Sequence, residues 1–217
     1  MMSFIYVILA LFLPLTAFPA ASSFAPSSTS EEEVFLDAIE KANSSYVSIK
    51  SDFKQSRTIK ASGKTISMEG VLYYTRADKM SMRYSVPKTD LLIINSGKLY
   101  MNRGGKSSLF DTGKNARMKS LSSTLLDCVA GNPAKVADDN NADLRVLPSS
   151  DSYVVTISAK PGTSNKYSRI QLTYRKSDCV LVKMIMDEPT GVSNVYEMSS
   201  VEKNVSVSDS EYVIPKH

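Results

Sequence analysis

The stretch from Glu69 to Arg103, EGVLYYTRADKMSMRYSVPKTDLLIINSGKLYMNR, limits the fold more than any other part of the chain. Between Lys79 and Ser85 the residues alternate, with Met80, Met82 and Tyr84 set against Lys79, Ser81 and Arg83. A period of two belongs to a half-buried strand with one apolar face and one wet face. Arg76-Ala77-Asp78 supplies a tight turn before this run, and Val86-Pro87-Lys88 ends it. Asn95-Ser96-Gly97 then separates the aliphatic run Leu91 to Ile94 from Leu99-Tyr100-Met101. Connections this short join only antiparallel neighbours, so the stretch is an antiparallel meander and the remaining elements pack on it or close over it.

Upstream, Ser30 with Glu33 three residues later forms a capping box for a helix whose apolar residues Phe35, Ala38, Ile39, Ala42 and Tyr46 recur at helical spacing. Val47 to Lys60 and Thr65 to Thr75 read as long strands joined through Ala61-Ser62-Gly63-Lys64, a pattern that builds a strongly curved sheet. Arg103-Gly104-Gly105-Lys106 turns the chain into Ser107 to Asp111. A second amphipathic helix spans Ala116 to Ala130, with Met118, Leu121, Leu125, Cys128 and Val129 on one face, Gly131 as its C-cap and Pro133 as a stop. Lys135 to Asn141 is polar, a short helix or loop. Strands resume at Leu144–Leu147, Tyr153–Ala159, Ser168–Arg175, Cys179–Met186 and Val192–Val201, and Tyr212–Pro215 closes the chain as a final strand. Strand-helix-strand alternation is missing, which predicts an α+β protein, mainly antiparallel β, with one sheet wrapped around helices.

Several functional classes fall away on composition. The only histidine is His217, the last residue, so a Ser-His-Asp triad, a His-Cys dyad and a His-based metal site have no support, and the chain is read as a non-enzyme with no metal and no cofactor. Gly104-Gly105-Lys106-Ser107-Ser108 lacks the glycine spacing of a phosphate loop, and Asp138 to Asp143 lacks the glycine and terminal glutamate of a calcium loop. The net charge of +4 is spread among interspersed acids and bases, which argues against nucleic acid as a partner. Residues 1–30 hold no charged side chain, and Phe4 to Leu15 is almost wholly apolar before Pro14, Pro19 and a run of small residues. This reads as a signal peptide over residues 1–25, too short in its apolar run for a spanning helix, followed by one domain over residues 31–217.

Motif order carries a resemblance. Gly70, the pair Tyr73-Tyr74, Arg76, an alternating apolar strand, Pro87, an aliphatic run and Gly97 before an aromatic strand together resemble the periplasmic lipoprotein carriers of the LolA family. Asp52-Phe53-Lys54-Gln55 is similar to that family's Phe-x-Gln strand, and Tyr212-Val213-Ile214-Pro215 to its closing aromatic-x-x-Pro, so the resemblance spans roughly residues 31 to 217. Ala77 stands where the family usually has Pro, Met82 where Trp is common, and the chain has no Trp, which makes it a remote member. The resemblance implies a curved sheet forming an incomplete barrel, with a few helices covering its concave face. It implies a soluble, monomeric periplasmic carrier that takes acylated lipoprotein or lipid cargo from an inner-membrane lipoprotein-releasing transporter to an outer-membrane acceptor. Sensor domains of the RseB type share this half-barrel and bind lipidated or unfolded polypeptides without transport. They carry a second domain, for which this chain is too short, and that favours the carrier.

On this reading Arg76 bonds backbone carbonyls of the covering helices and latches the Ala116 to Ala130 helix, a task suited to a fork of five donors that stays charged at physiological pH. Tyr74, Met80, Met82, Tyr84 and Ile94 on the sheet, with Met118, Leu121, Leu125 and Val129 on the helix, are the acyl-chain cavity residues. A cavity wall and a plain core both need one apolar sheet face, and the sequence does not choose between them. The repeated strand methionines point to an adaptable wall. Cys128 and Cys179 could pair in an oxidising compartment, closing a loop worth about 4 kcal/mol, or remain two buried free thiols.

Overall fold

The structure is a computed structural model that describes residues 29–163 and 165–216; the expected signal peptide and His217 lie outside them. Helix α1 (Thr29–Ser44) leads into strands β1 (Ser48–Ile59), β2 (Lys64–Thr75), β3 (Lys79–Val86), β4 (Leu91–Asn95), β5 (Lys98–Arg103) and β6 (Lys106–Asp111). Helices α2 (Ala116–Ala130) and α3 (Pro133–Asp139) follow, then β7 (Ala142–Pro148), β8 (Ser152–Ala159), β9 (Arg169–Arg175), β10 (Leu181–Asp187) and β11 (Val192–Lys203). The eleven strands form one antiparallel sheet in the order β6-β5-β4-β3-β2-β1-β11-β10-β9-β8-β7. The two long strands nearest the middle, β1 and β11, pair from Ile49↔Lys203 to Ile59↔Val192. The outer strands β6 and β7 do not pair with each other, so the barrel stays incomplete, as expected.

Curvature comes from length and from bulges. Register shifts interrupt β1–β11 between Lys50 and Asp52, β2–β3 between Glu69 and Gly70, and β9–β10 between Leu181 and Lys183, and each such irregularity bends and twists the strand that carries it. At Gly70 a Cβ would overlap the Arg83 carbonyl and crowd the Phe53 ring, so only glycine lets β3 approach this closely at the bulge. The concave face carries the main core, including Phe53, Leu72, Leu172 and Met184 from the sheet and Ile39 from α1.

Two local expectations are corrected. Lys79, Ser81 and Arg83 do not form a uniformly wet face, because Ser81 is fully buried. Ser81 lies opposite Ile93, which lies opposite Tyr100, so the three share the outer surface of the sheet. The end of the chain covers them. It does so as a 3-10 turn, Asp209–Tyr212, and not as a strand. Tyr212 is buried there, its hydroxyl 2.8 Å from Thr75 Oγ1 and its carbonyl accepting from Asn95 Nδ2 at 3.1 Å. Arg83 donates to the carbonyls of Ser210 and Glu211, and Lys79 pairs with Asp209. The polar residues of β3 that looked wet thus bind this strap. In addition, Pro133 opens α3 as well as stopping α2, and Asp138 and Asp139 end that helix.

Tyr212→Ala should cost about 3 kcal/mol of stability, the usual result of emptying a large aromatic site. Val213→Ala next to it should cost nothing measurable, since Val213 is 61% exposed. Urea denaturation of the two variants checks this.

Candidate functional site

The inner surface of the curved sheet is a trough, and α2 lies in it. Tyr74, Met80, Met82, Tyr84 and Ile94 project from β2, β3 and β4 into one cluster with Leu125 and Val129 of α2, all buried. Met118 and Leu121 pack at its margin, partly exposed. The nine residues singled out from the sequence are therefore brought together. Both ends of α2 are satisfied. Asn115 Oδ1 accepts from the Met118 amide at 3.1 Å, and Gly131, in the left-handed region at φ 75°, lets the amides of Gly131 and Asn132 close on the carbonyls of Cys128 and Asp127.

At one end of the trough a narrow cleft remains, with a cavity volume of only about 20 Å3. Ile49 of β1, Leu72 of β2, Val129 of α2, Leu181 of β10 and Met198 of β11 form its apolar walls, and Asn43 and Tyr46 form its rim. Arg76, in the β2–β3 turn, donates from Nη2 to the Asn43 carbonyl at 2.7 Å and from Nε to the Tyr46 carbonyl at 3.0 Å. The latch expected on α2 thus falls on the end of α1. The reason is local: the last carbonyls of a helix lack intrahelical partners. In α2 the glycine cap takes the carbonyls of Asp127 and Cys128, whereas the Asn43 carbonyl at the end of α1, which already accepts from the Tyr46 amide, offers its second lone pair to Arg76.

The opposite rim holds the same segment. Asn43 Nδ2 donates to the carbonyls of Ile39 at 2.8 Å and Cys179 at 3.1 Å. The Tyr46 hydroxyl donates to the Asp178 carbonyl at 3.2 Å and accepts from Lys203 Nζ at 2.9 Å. Two hydrogen bonds from Arg175 hold the Asp178 carboxyl below the usual carboxylate range, so this corner is fully charged at neutral pH. A Cβ on Gly131 would lie 2.6 Å from the Asn43 side chain. Asn43 is therefore the junction of α1, the cap of α2, the β9–β10 turn and Arg76.

Cys128 and Cys179 are both free thiols. Burial pushes the Cys128 thiol far up and that of Cys179 up as well, so neither is primed as a nucleophile. Among the described residues no group of three or more His, Cys, Asp or Glu side chains is arranged to hold a metal ion. Sequence reasoning missed the cleft residues Ile49, Leu72, Leu181 and Met198, and it missed Asn43. One signal was available: Phe35, Ile39 and Asn43 recur every four residues, which puts an amide on the buried stripe of α1.

Taken together, fold and site define a half-barrel whose apolar trough is occupied by a helix of the same chain. The chain belongs to the LolA family: the family described as "Outer membrane lipoprotein carrier protein LolA" matches residues 44–215. No curated protein matches it in sequence. Among solved structures, an uncharacterized conserved protein from Thermus thermophilus is similar in fold, with a TM-score of 0.50 at 9% identity over 86% of this chain and 95% of that one. A LolA superfamily protein from Nitrosomonas europaea gives 0.43 at 8% identity, covering 84% and 97%. A chain of the Pseudomonas aeruginosa MucA/MucB complex gives 0.48 at 12%, covering 85% of this chain and 61% of that one.

The trough also holds four phenols, Tyr84, Tyr167, Tyr174 and Tyr196, whose pKa values burial raises. Unfolded phenols titrate near pH 10, so the unfolded chain releases protons that the folded one keeps. Stability should be complete below about pH 9 and fall as pH rises past 10. Absorbance at 295 nm should show these tyrosines ionising together with unfolding, and a smooth titration in a still-folded protein would contradict the burial.

Proposed function

We propose that the protein is an exported, soluble carrier that shields acyl chains of lipoproteins or lipids in its trough between an inner-membrane donor and an outer-membrane acceptor. The observation that carries this reading is a replaceable kind of filling. The trough is occupied by an amphipathic helix that, among the described residues, no ion pair ties to the sheet, beside an apolar cleft whose rim is latched by Arg76. Among the same residues no helix is long and apolar enough to cross a membrane.

The energetics favour a plug. Burying an acyl chain of roughly 15 methylenes is worth on the order of 10 kcal/mol at ~0.8 each, so an open trough would hold its guest too long or collapse when empty. Leu125 and Val129 each recover about 1.5–3 kcal/mol by occupying the same space. Net affinity is then a difference between two large quantities, and cargo can be handed on. Arg76 adds two charge-assisted bonds to the closed state only, which weights that difference toward release.

Mass spectrometry of protein purified without detergent tests the reading: acyl lipid or acylated peptide should accompany it, and its absence under all export conditions would defeat the carrier. Arg76→Leu should load normally and transfer several-fold more slowly to acceptor membranes, because the closed state loses its latch. Alkylation at pH 8 supplies a third check. Cys128 should resist iodoacetamide in the empty protein and react in the loaded one, once α2 has left the trough.

A further inference from the structure

The trough is not apolar along its whole length. Eight residues separate Ile49, at the latched mouth, from Arg57 on the same face of β1, a span of about 26 Å. At the far end the floor is a closed hydrogen-bond network. The Tyr84 hydroxyl donates to Gln55 Oε1 at 2.7 Å, and Gln55 Nε2 donates to Asn194 Oδ1 at 3.0 Å and to the Tyr196 hydroxyl at 3.1 Å. Arg57 Nη1 reaches the same Asn194 oxygen at 3.3 Å. Gln55 is 1% exposed, so this is a buried polar surface laid across the bottom of a trough whose other end is hydrocarbon.

Beside this floor the molecule opens again. A cleft of about 440 Å3 runs between the first turns of α2, at Arg117 and Ser120, and the β10–β11 turn at Glu188 to Thr190. The register puts Asn194 opposite both Arg57 and Met186, only a few residues from that turn. Arg57 and Arg103 both act electrostatically on the phenols of Tyr84 and Tyr196, which puts the two cations around one neighbourhood. Neither of them, nor Arg117, forms an ion pair among the described residues. Of the cleft's acids, Glu188 is bound by Lys166 and Asp139 by Lys135. Asp90, whose carboxyl accepts from the Gly104 amide, and Glu188 act on the same phenols with the opposite sign; among the described residues, the cations of this polar end that no carboxylate holds are Arg57, Arg103 and Arg117.

Length decides what such an end is for. Half of a ~30 Å bilayer core, the depth that one layer of acyl chains fills, is about 15 Å. Laid along the trough from Ile49, a chain of that length ends short of Gln55, so hydrocarbon fills the Asn43 end and leaves the Gln55 end to the polar group it carries. We infer that the Gln55–Tyr84–Asn194–Tyr196 floor, with Arg57 and Arg117, is a headgroup subsite, so that the ligand lies lengthwise with its chains toward Asn43 and an anionic phosphate or carboxylate group at the far end. This rests on the acyl-chain reading above and narrows its ligand to amphiphiles with a negatively charged head.

Displacement of the uncharged dye N-phenyl-1-naphthylamine by three short-chain lipids separates the two claims. Dioctanoyl phosphatidic acid should bind about tenfold more tightly than dioctanoylglycerol, as charge-assisted bonds to the head imply, with dioctanoyl phosphatidylcholine between them. Arg57→Gln and, separately, the exposed Arg117→Gln should erase most of that preference and leave dioctanoylglycerol binding unchanged. Equal affinity for all three lipids, or variants that weaken all three alike, would overturn the subsite while sparing the carrier. Failure of every lipid to displace the dye would overturn both. Inorganic phosphate alone should displace nothing and should compete with the anionic lipid only weakly. Competition as strong as the lipid's own affinity would mean a plain anion site, and the headgroup assignment would fall.

Discussion

The structure depends on one constraint: a sheet that curls far enough to hide one face, but does not close, must bury that face against something. Eleven strands whose outermost members, β6 and β7, do not pair with each other leave a concave surface lined by Leu72, Met82, Leu172 and Met184. Left in water, such a surface would cost many times the few kcal/mol by which domains are stable. α2 resolves this from within the chain. Polar contacts join α2 to α3, where Lys135 pairs with Asp127 and Asn140 donates to Thr124. Among the described residues, however, no ion pair joins α2 to the sheet, so its hold on the trough is chiefly the packing of one apolar stripe, and packing is what another apolar body can replace.

The hydrogen bonds that define the closed form sit one step away, on α1. A helix ends with carbonyls that need partners, and here they meet Arg76 from one rim and lie over the Asp178–Cys179 turn of the other. Asn43 joins the two rims because its backbone accepts while its amide donates. The clasp is polar and the plug apolar, so the two parts of closure respond to different conditions. Salt, which screens charge, acts at the rim, and apolar guests act in the trough.

Much of this was legible in the sequence. The alternation at Lys79–Ser85 and the turns around it give β3, β4 and β5 nearly to the residue, and Gly131 fixes the end of α2, because period and left-handed caps are local properties. The gathering of Tyr74, Met80, Ile94 and Leu125 followed from the same alternation. What escaped is non-local. Ser81 reads as solvent-facing until a segment more than a hundred residues later lies across it, and the strap itself looked like a strand because Tyr212-Val213-Ile214 has β-forming residues with no local sign of the Ser208 cap. The helix held by Arg76 was misassigned for a related reason: the guanidinium bonds whichever carbonyls the fold brings to the β2–β3 turn, and those belong to Asn43 and Tyr46.

The methionines show how a trough can accept two occupants. All eight from Met68 onward either belong to the inner core or pack against it, drawn from β2, β3, β5, α2, β10 and β11. A wall of Leu and Ile has stiff rotamers and would leave voids whenever the shape of its filling changed, at a cost that rises with cavity volume. Thioether side chains have three soft torsions and a polarizable sulfur, and they can follow a helix surface in one state and a hydrocarbon tail in the other. Met68, Met184 and Met186 lie directly across from Gln55, Tyr196 and Asn194, so the adaptable wall continues around the polar network. Only the hydrogen-bonded groups themselves, whose bonds have fixed directions, keep one shape while the thioethers beside them can follow a change of filling.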